Sequence, residues 1–262
     1  MKKTLQIANG IALVSTIFIN YLSNTGAFNG KTIADLSHNY DNFFTPAGYA
    51  FSIWGLIYLG LLGFVIYTGR GLFKKVNDDW PVLEVGWWFV VTCITNSLWV
   101  IAWLYEYTGL SVLIMIVMLI ALVKIILNTR MELDVLPLKK YVFVFWPFCF
   151  YSGWISVALI ADVAAYLTKI EWSGWGISPV TWTIIMMVIA GVINVLIIWK
   201  RNMREFALVG VWALVAIAVA NWGVEKSIVY SALIIAIIIF LNVAVHGAKN
   251  AKNNPWMKSY SK

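Results

Sequence analysis

Apolar runs of about 20 residues recur eight times along the chain, and this repetition limits the fold more than any other feature. At 1.5 Å per residue, a helix of that length crosses the ~30 Å hydrocarbon core of a bilayer. The runs therefore predict an all-α fold, a polytopic bundle of membrane helices. The predicted spans are 5–22, 48–68, 85–104, 110–128, 141–162, 180–199, 206–222 and 228–246.

The composition agrees with membrane insertion and argues against nucleic-acid binding. Of the 262 residues, 61% are hydrophobic and 12% are charged, and the mean hydropathy is +0.82. No soluble domain of this size needs so much apolar surface. The net charge of +7 is also typical of nucleic-acid-binding proteins, but here the basic residues lie between the apolar runs.

The basic residues lie mostly on one side of the predicted bundle. The termini and the connections after the second, fourth and sixth spans hold 15 Lys and Arg residues, whereas the opposite connections hold three. The positive-inside rule then predicts a multi-pass protein of the cell (plasma or inner) membrane with both termini in the cytoplasm. Lys2 and Lys3 before an apolar run also fit a signal peptide, whose cleavage would leave seven spans. We favour the uncleaved form because residues 23–27 make a poor cleavage site.

Candidate catalytic and metal-binding residues are few. The outer connection 23–47 holds Asp35, His38 and Asp41, but one histidine with two aspartates is a weak ligand set, so we expect a solvated loop and no metal. Cys93 and Cys149 lie inside spans and are expected to be buried thiols without a disulfide. No nucleophile elbow or acid–base pair is evident, and no Asp or Glu falls well inside a predicted span. These features argue against an enzyme and against an ion-coupled pump.

Aromatic and amide side chains of three spans reach a common depth. Phe51, Trp54 and Tyr58 share one face of the second span. Counting from the outer ends of the spans places Trp54, Asn96 and Trp154 each ~11–12 Å below the surface. Such residues suit a pocket for a flat apolar ligand, closed by residues 23–47. The alternative is a solid core in which Asn96 hydrogen-bonds to a neighbouring helix. The predicted ligand-binding residues are Phe51, Trp54, Asn96, Trp99, Trp154 and Ala158.

Three short motifs follow one another in these spans. Pro46 leads into Trp-x-x-x-Tyr at 54–58, Asn-x-x-Trp occupies 96–99, and Trp-x-Ser-x-Ala occupies 154–158 with Asp162 after it. In this order they resemble the tryptophan-rich sensory protein family (TspO/MBR, the translocator proteins). The resemblance covers about residues 5–165. Asp162 stands where the family has Asn, and the proline before the fifth-span motif, Pro147, is farther from it than usual.

The resemblance implies an organisation in three parts. Residues 1–165 would form a TspO/MBR-like five-helix unit, residues 166–246 would add three transmembrane helices, and residues 247–262 would be a basic cytoplasmic tail. The chain would then be a long form of the family.

The resemblance also implies a function. A sensor or receptor would bind a flat molecule such as a tetrapyrrole in an outer-leaflet pocket, with no cofactor required beyond a porphyrin- or haem-type ligand. The alternative is a transporter, a passive carrier or permease of small hydrophobic compounds. Light-dependent porphyrin breakdown is an enzymatic activity that rests on the resemblance alone. A homodimer in the bilayer is implied as well.

Overall fold

The computed structural model describes residues 1–76, 78 and 80–250, and in these residues all regular structure is helical. Eight long helices account for most of the chain. They are α1 (Lys2–Ser23), α2 (Ile53–Gly69), α3 (Trp88–Leu104), α4 (Thr108–Asn128), α5 (Trp146–Lys169), α6 (Pro179–Arg201), α7 (Arg204–Ala220) and α8 (Lys226–Lys249). Most of the predicted tail, residues 251–262, lies outside the described residues.

Short helical segments connect the long helices. A helix at Ile33–Asn39 follows α1, and a 3-10 turn at Gly48–Ser52 leads into α2. The helix Trp80–Val85 precedes α3, and a π-helical turn at Tyr141–Phe145 precedes α5.

Each predicted span corresponds to one long helix, so the all-α polytopic bundle is confirmed. Among the described residues, six helical stretches are long and apolar enough to cross a membrane, and they contain α1, α2, α4, α5, α6 and α8. The other two, α3 and α7, have 17 residues each, which puts them at the lower end of the usual length for a spanning helix. The fifth span was predicted too short, because α5 continues past residue 162 to Lys169.

The helices pack as a continuous bundle. Helix α1 lies against α2 and α3, α3 lies against α4, and both α2 and α4 lie against α5. Helices α6, α7 and α8 pack on one another, and α7 also packs directly on α5. One hydrophobic core joins residues from all of these helices. The division of the chain at residue 165 stays a prediction. Helix α7 connects the predicted five-helix unit to the later helices, because it packs on α5 as well as on α6 and α8.

The α5–α7 crossing depends on a glycine. A Cβ atom added to Gly153 would lie 2.9 Å from the backbone oxygen of Phe206 and 3.1 Å from Cβ of Val209. Backbone atoms cannot move aside as the end of a flexible side chain can. A small residue at this position therefore lets the two helix backbones approach closely.

Candidate functional site

The connection between α1 and the 3-10 turn, residues 24–47, forms a partly helical lid. Thr32 and Asp35 form a capping box that begins the helix Ile33–Asn39, as expected for a hydroxyl and an acid three residues apart. Leu36 and Phe44 of the lid are buried, which anchors the lid to the bundle by apolar packing. Asp35 and Asp41 are exposed, as expected for a solvated segment, but the lid as a whole is not merely a solvated loop.

The expectation that the lid holds no metal stays a prediction. The Asp35 carboxylate accepts a hydrogen bond from the backbone N–H of Thr32 at 2.8 Å. The side chain of His38, the third member of the considered ligand set, lies outside the described part of the structure.

An ion pair holds the lid to the short α3–α4 connection. Glu106 accepts hydrogen bonds from Lys31 Nζ and from the hydroxyl of Tyr40, each at 2.6 Å. The hydrogen bond from Lys31, and next the one from Tyr40, lower the pKa of the Glu106 carboxyl. Burial and the adjacent Glu106 raise the pKa of Tyr40 to about 12. The Glu106 carboxylate therefore stays ionised throughout the neutral range.

Helix α7 holds the other end of the lid. The backbone N–H of Ala47 donates to the carbonyl of Ala216 at 3.1 Å. The Asn221 amide donates to the carbonyl of Phe43 at 3.1 Å. Trp212 Nε1 donates to the carbonyl of Ala50, in the middle of the 3-10 turn, at 3.2 Å. The lid is thus attached to the helices that follow residue 165.

Beneath the lid is a narrow cavity of about 60 Å³, called here the aromatic slot. Its walls come from the lid and from α2, α3, α4 and α5. Five of the six residues predicted to bind a ligand lie in these walls: Phe51, Trp54, Trp99, Trp154 and Ala158. The structure brings these residues together, while their role in ligand binding stays a prediction.

The rings in the slot meet mostly edge to face. Phe51 contacts Trp154 with ring centroids 5.9 Å apart, and Trp154 is only 2% exposed. Trp99 and Trp103 lie nearly parallel, with centroids 6.2 Å apart and planes 17° apart. Such walls offer both ring faces and ring edges to an apolar partner.

Asn96 does not line the slot. It is fully buried, and its oxygen accepts a hydrogen bond at 2.7 Å from the Asn20 amide on α1. Its own amide donates to the Tyr151 hydroxyl at 3.3 Å, and the Tyr151 ring contacts Trp54 edge to face. Asn96 on α3 is thus hydrogen-bonded to α1 and α5. This agrees with the alternative from the sequence analysis, in which Asn96 hydrogen-bonds to a neighbouring helix.

Asp162 is the polar residue that the sequence prediction missed. The sequence places it at the outer end of the fifth span, but it lies seven residues before the end of α5 and is 4% exposed. Its carboxylate lines the slot and accepts hydrogen bonds from Trp99 Nε1 at 3.2 Å and Ser111 Oγ at 2.8 Å. Asp162 therefore lies two turns inside the helix and not at its end, where the sequence analysis placed it. The apolar composition of residues 163–167 was the signal that the helix continues.

A larger cavity of about 840 Å³, called here the vestibule, adjoins the slot. It lies between the lid, the end of α5, the connection 170–178, the start of α6 and the end of α7. The two cavities share four lining residues: Ser37, Thr45, Pro46 and Phe51. The vestibule escaped the sequence analysis because about half of its wall comes from residues after 165, to which no binding role was assigned.

Tryptophans rigidify the far wall of the vestibule. Trp172 and Trp182 line the cavity, and their ring centroids are 5.5 Å apart. Trp182 Nε1 donates to the carbonyl of Gly174 at 2.8 Å, which fixes the connection to the first turns of α6. This wall is therefore aromatic and held by a hydrogen bond.

The chain matches the model of a known protein family. A family model described as "TSPO-like protein" matches residues 6–245, a stretch that includes part of each of the eight long helices. No curated protein and no solved structure matches the chain.

Proposed function

We propose that this chain, which belongs to the TSPO-like protein family, is a membrane receptor that binds a flat, largely apolar small molecule beneath its lid. A tetrapyrrole is the ligand that the sequence resemblance implies. The observation that carries the proposal is the joining of an aromatic slot to a vestibule of about 840 Å³ under one lid.

Cavity sizes support a particular pose. The slot of about 60 Å³ has room for about two water molecules, so it cannot enclose a tetrapyrrole. The vestibule falls within the usual range for small-molecule sites, ~300–1,000 Å³. The body of the ligand would lie in the vestibule and one edge would enter the slot past Phe51, against Trp154.

The second candidate is a transporter of small hydrophobic compounds. Asp162 favours it, because a carboxylate inside a membrane span often marks a substrate or proton path. Uptake of the ligand into proteoliposomes separates the two functions. A receptor would bind the ligand without moving it across the bilayer.

Replacing Trp154 by leucine is expected to weaken binding of a porphyrin about tenfold or more, because a stacking face is lost from the slot. The measurement is a fluorescence titration of the purified protein in detergent. Trp222→Leu is the matched control, since Trp222 is 72% exposed and lines neither cavity.

A second variant separates lost binding from lost folding. Ala158→Phe would fill the slot rather than leave a hole in it, and it should weaken binding as well. Unchanged affinity in both variants, with each protein eluting as a single species, would leave only a packing role for the slot.

We further propose that both termini face the cytoplasm, because the side of the bundle that holds them carries 15 Lys and Arg residues and the opposite side carries three. Reporter fusions after residues 75, 138 and 204 should all report cytoplasm, and a fusion after residue 175 should report the outside. A periplasmic or extracellular signal from the C-terminus would overturn this orientation.

A further inference from the structure

Resting on the proposed function, we infer that the ligand is a flat hydrophobic cation rather than a neutral or anionic molecule. The vestibule and slot carry acidic side chains and aromatic faces. The three carboxylates that line them are Asp41, Glu171 and Asp162.

No basic side chain opposes these carboxylates. Among the residues that the structure describes, no Lys or Arg lines either cavity. Two lysines of the lid region already have partners. Lys31 forms an ion pair with Glu106, and Lys169 donates a hydrogen bond to the backbone carbonyl of Glu106. The carboxylates in the cavity walls therefore favour a positively charged ligand.

Asp162 is the innermost of the three acids. Its two hydrogen-bond donors, the Trp99 indole and the Ser111 hydroxyl, are both neutral. None of the ion pairs found in the described part of the chain includes Asp162. A buried carboxylate without a counter-charge is costly in a membrane interior, and a cation in the slot would supply that charge.

The aromatic walls fit the same class of ligand. Trp54, Trp99 and Trp154 surround the slot, and Trp172 and Trp182 stand in the vestibule wall. Indole faces attract cations as well as flat rings. Asp41 and Glu171 in the vestibule would draw a cation inward, and Asp162 would hold it beside the indoles.

The same charges act against anionic tetrapyrroles. A ligand with carboxylate side chains would bring negative groups into cavities lined only by acids among the described charged residues. Like charges repel, and the repulsion is strongest beside Asp162, which is only 4% exposed. The inference thus narrows the tetrapyrrole expectation to rings without acidic substituents.

Three probes with one ring system test the inference. They are a porphyrin with a single side chain ending in a quaternary ammonium, the same porphyrin with an uncharged end, and the same porphyrin with a carboxylate. In the purified full-length protein, we expect the cationic probe to bind at least tenfold more tightly than the uncharged one and the anionic probe to bind least.

Asp162→Asn then tests whether the Asp162 carboxylate holds the cation. The amide keeps the shape and an acceptor for Trp99, so the fold should persist. We expect it to reduce the affinity of the cationic probe about tenfold while leaving the uncharged probe unchanged. Asp134→Asn is the matched control, because Asp134 pairs with Arg130 on the surface and lines neither cavity.

The outcomes distinguish the two proposals. Equal binding of the three probes would overturn the charge inference while leaving the receptor proposal intact. A cation preference of unchanged size in Asp162→Asn would overturn the assignment of the cation to Asp162. Binding of no probe would overturn both.

Discussion

Gly153→Ala is expected to lower the thermal stability of the protein, whereas Gly55→Ala is not. The new Cβ would meet the backbone oxygen of Phe206 at 2.9 Å, so α5 and α7 must move apart. Overpacking of this kind typically costs ~1–3 kcal/mol. Because α7 also holds the lid through Ala216 and Asn221, porphyrin affinity should fall together with stability. Both are measured in detergent, by thermal unfolding and by titration.

Gly55→Ala is the matched control for this variant. Gly55 lies in α2 with nothing within 4 Å of an added Cβ, and alanine is the better helix former by ~1 kcal/mol. We therefore expect Gly55→Ala to leave the melting temperature unchanged or to raise it slightly. A Gly153→Ala protein as stable as the parent would mean that the α5–α7 crossing does not need close backbone contact.

The membrane helices could be predicted from the sequence because length and apolar character alone decide whether a segment spans a bilayer. The error at α5 has a specific cause. Asp162 was read as the end of the span, since an acid is costly in lipid, but Trp99 and Ser111 satisfy its carboxylate. Those partners lie 63 and 51 residues away in the chain, and helix periodicity does not reveal such contacts.

The slot was partly predictable for a related reason. Trp54 and Trp154 were predicted to share one depth and both line the slot, but the count for Trp154 began seven residues before the end of α5. Asn96 shares that depth, but its direction depends on α1, whose Asn20 occupies its oxygen. The vestibule was not predictable, because its far wall depends on how α7 packs against α5 and how α6 packs against α7. Depth along a helix can be read from a sequence, whereas rotation about its axis needs the neighbours.

A second acidic cluster lies at the opposite end of the bundle from the lid. Glu132, in the connection between α4 and α5, meets Glu205 and Cys149 with their ligating atoms all within 4.8 Å of one another. Glu132 is 8% exposed, and its Oε1 has no hydrogen-bond partner among the described residues. Burial, and next the Glu205 carboxylate, raise the pKa of Glu132 to about 9, although Arg204 acts in the opposite direction.

Glu132→Gln is therefore expected to stabilise the protein in a pH-dependent way. Below pH 4.5 the Glu132 carboxyl is protonated in both the folded and the unfolded protein, and folding stability is then highest. As the pH rises toward 9, the unfolded protein loses this proton first, and the folded protein becomes less stable relative to it. The parent protein should lose melting temperature between pH 5 and pH 9. The glutamine variant should lose less, and its advantage at pH 8 should be on the order of a few kcal/mol.

The control for the pH effect is Glu171→Gln. Both glutamates have a left-handed backbone, with φ of 62° at Glu132 and 53° at Glu171, but Glu171 is exposed. The two substitutions therefore make the same change of side chain on the same kind of backbone and differ in burial. If Glu171→Gln altered the pH profile of melting as much as Glu132→Gln, burial of Glu132 could not be the cause. Parallel pH profiles of the melting temperature for the parent and Glu132→Gln from pH 5 to pH 9 would show that folding does not raise the pKa of Glu132.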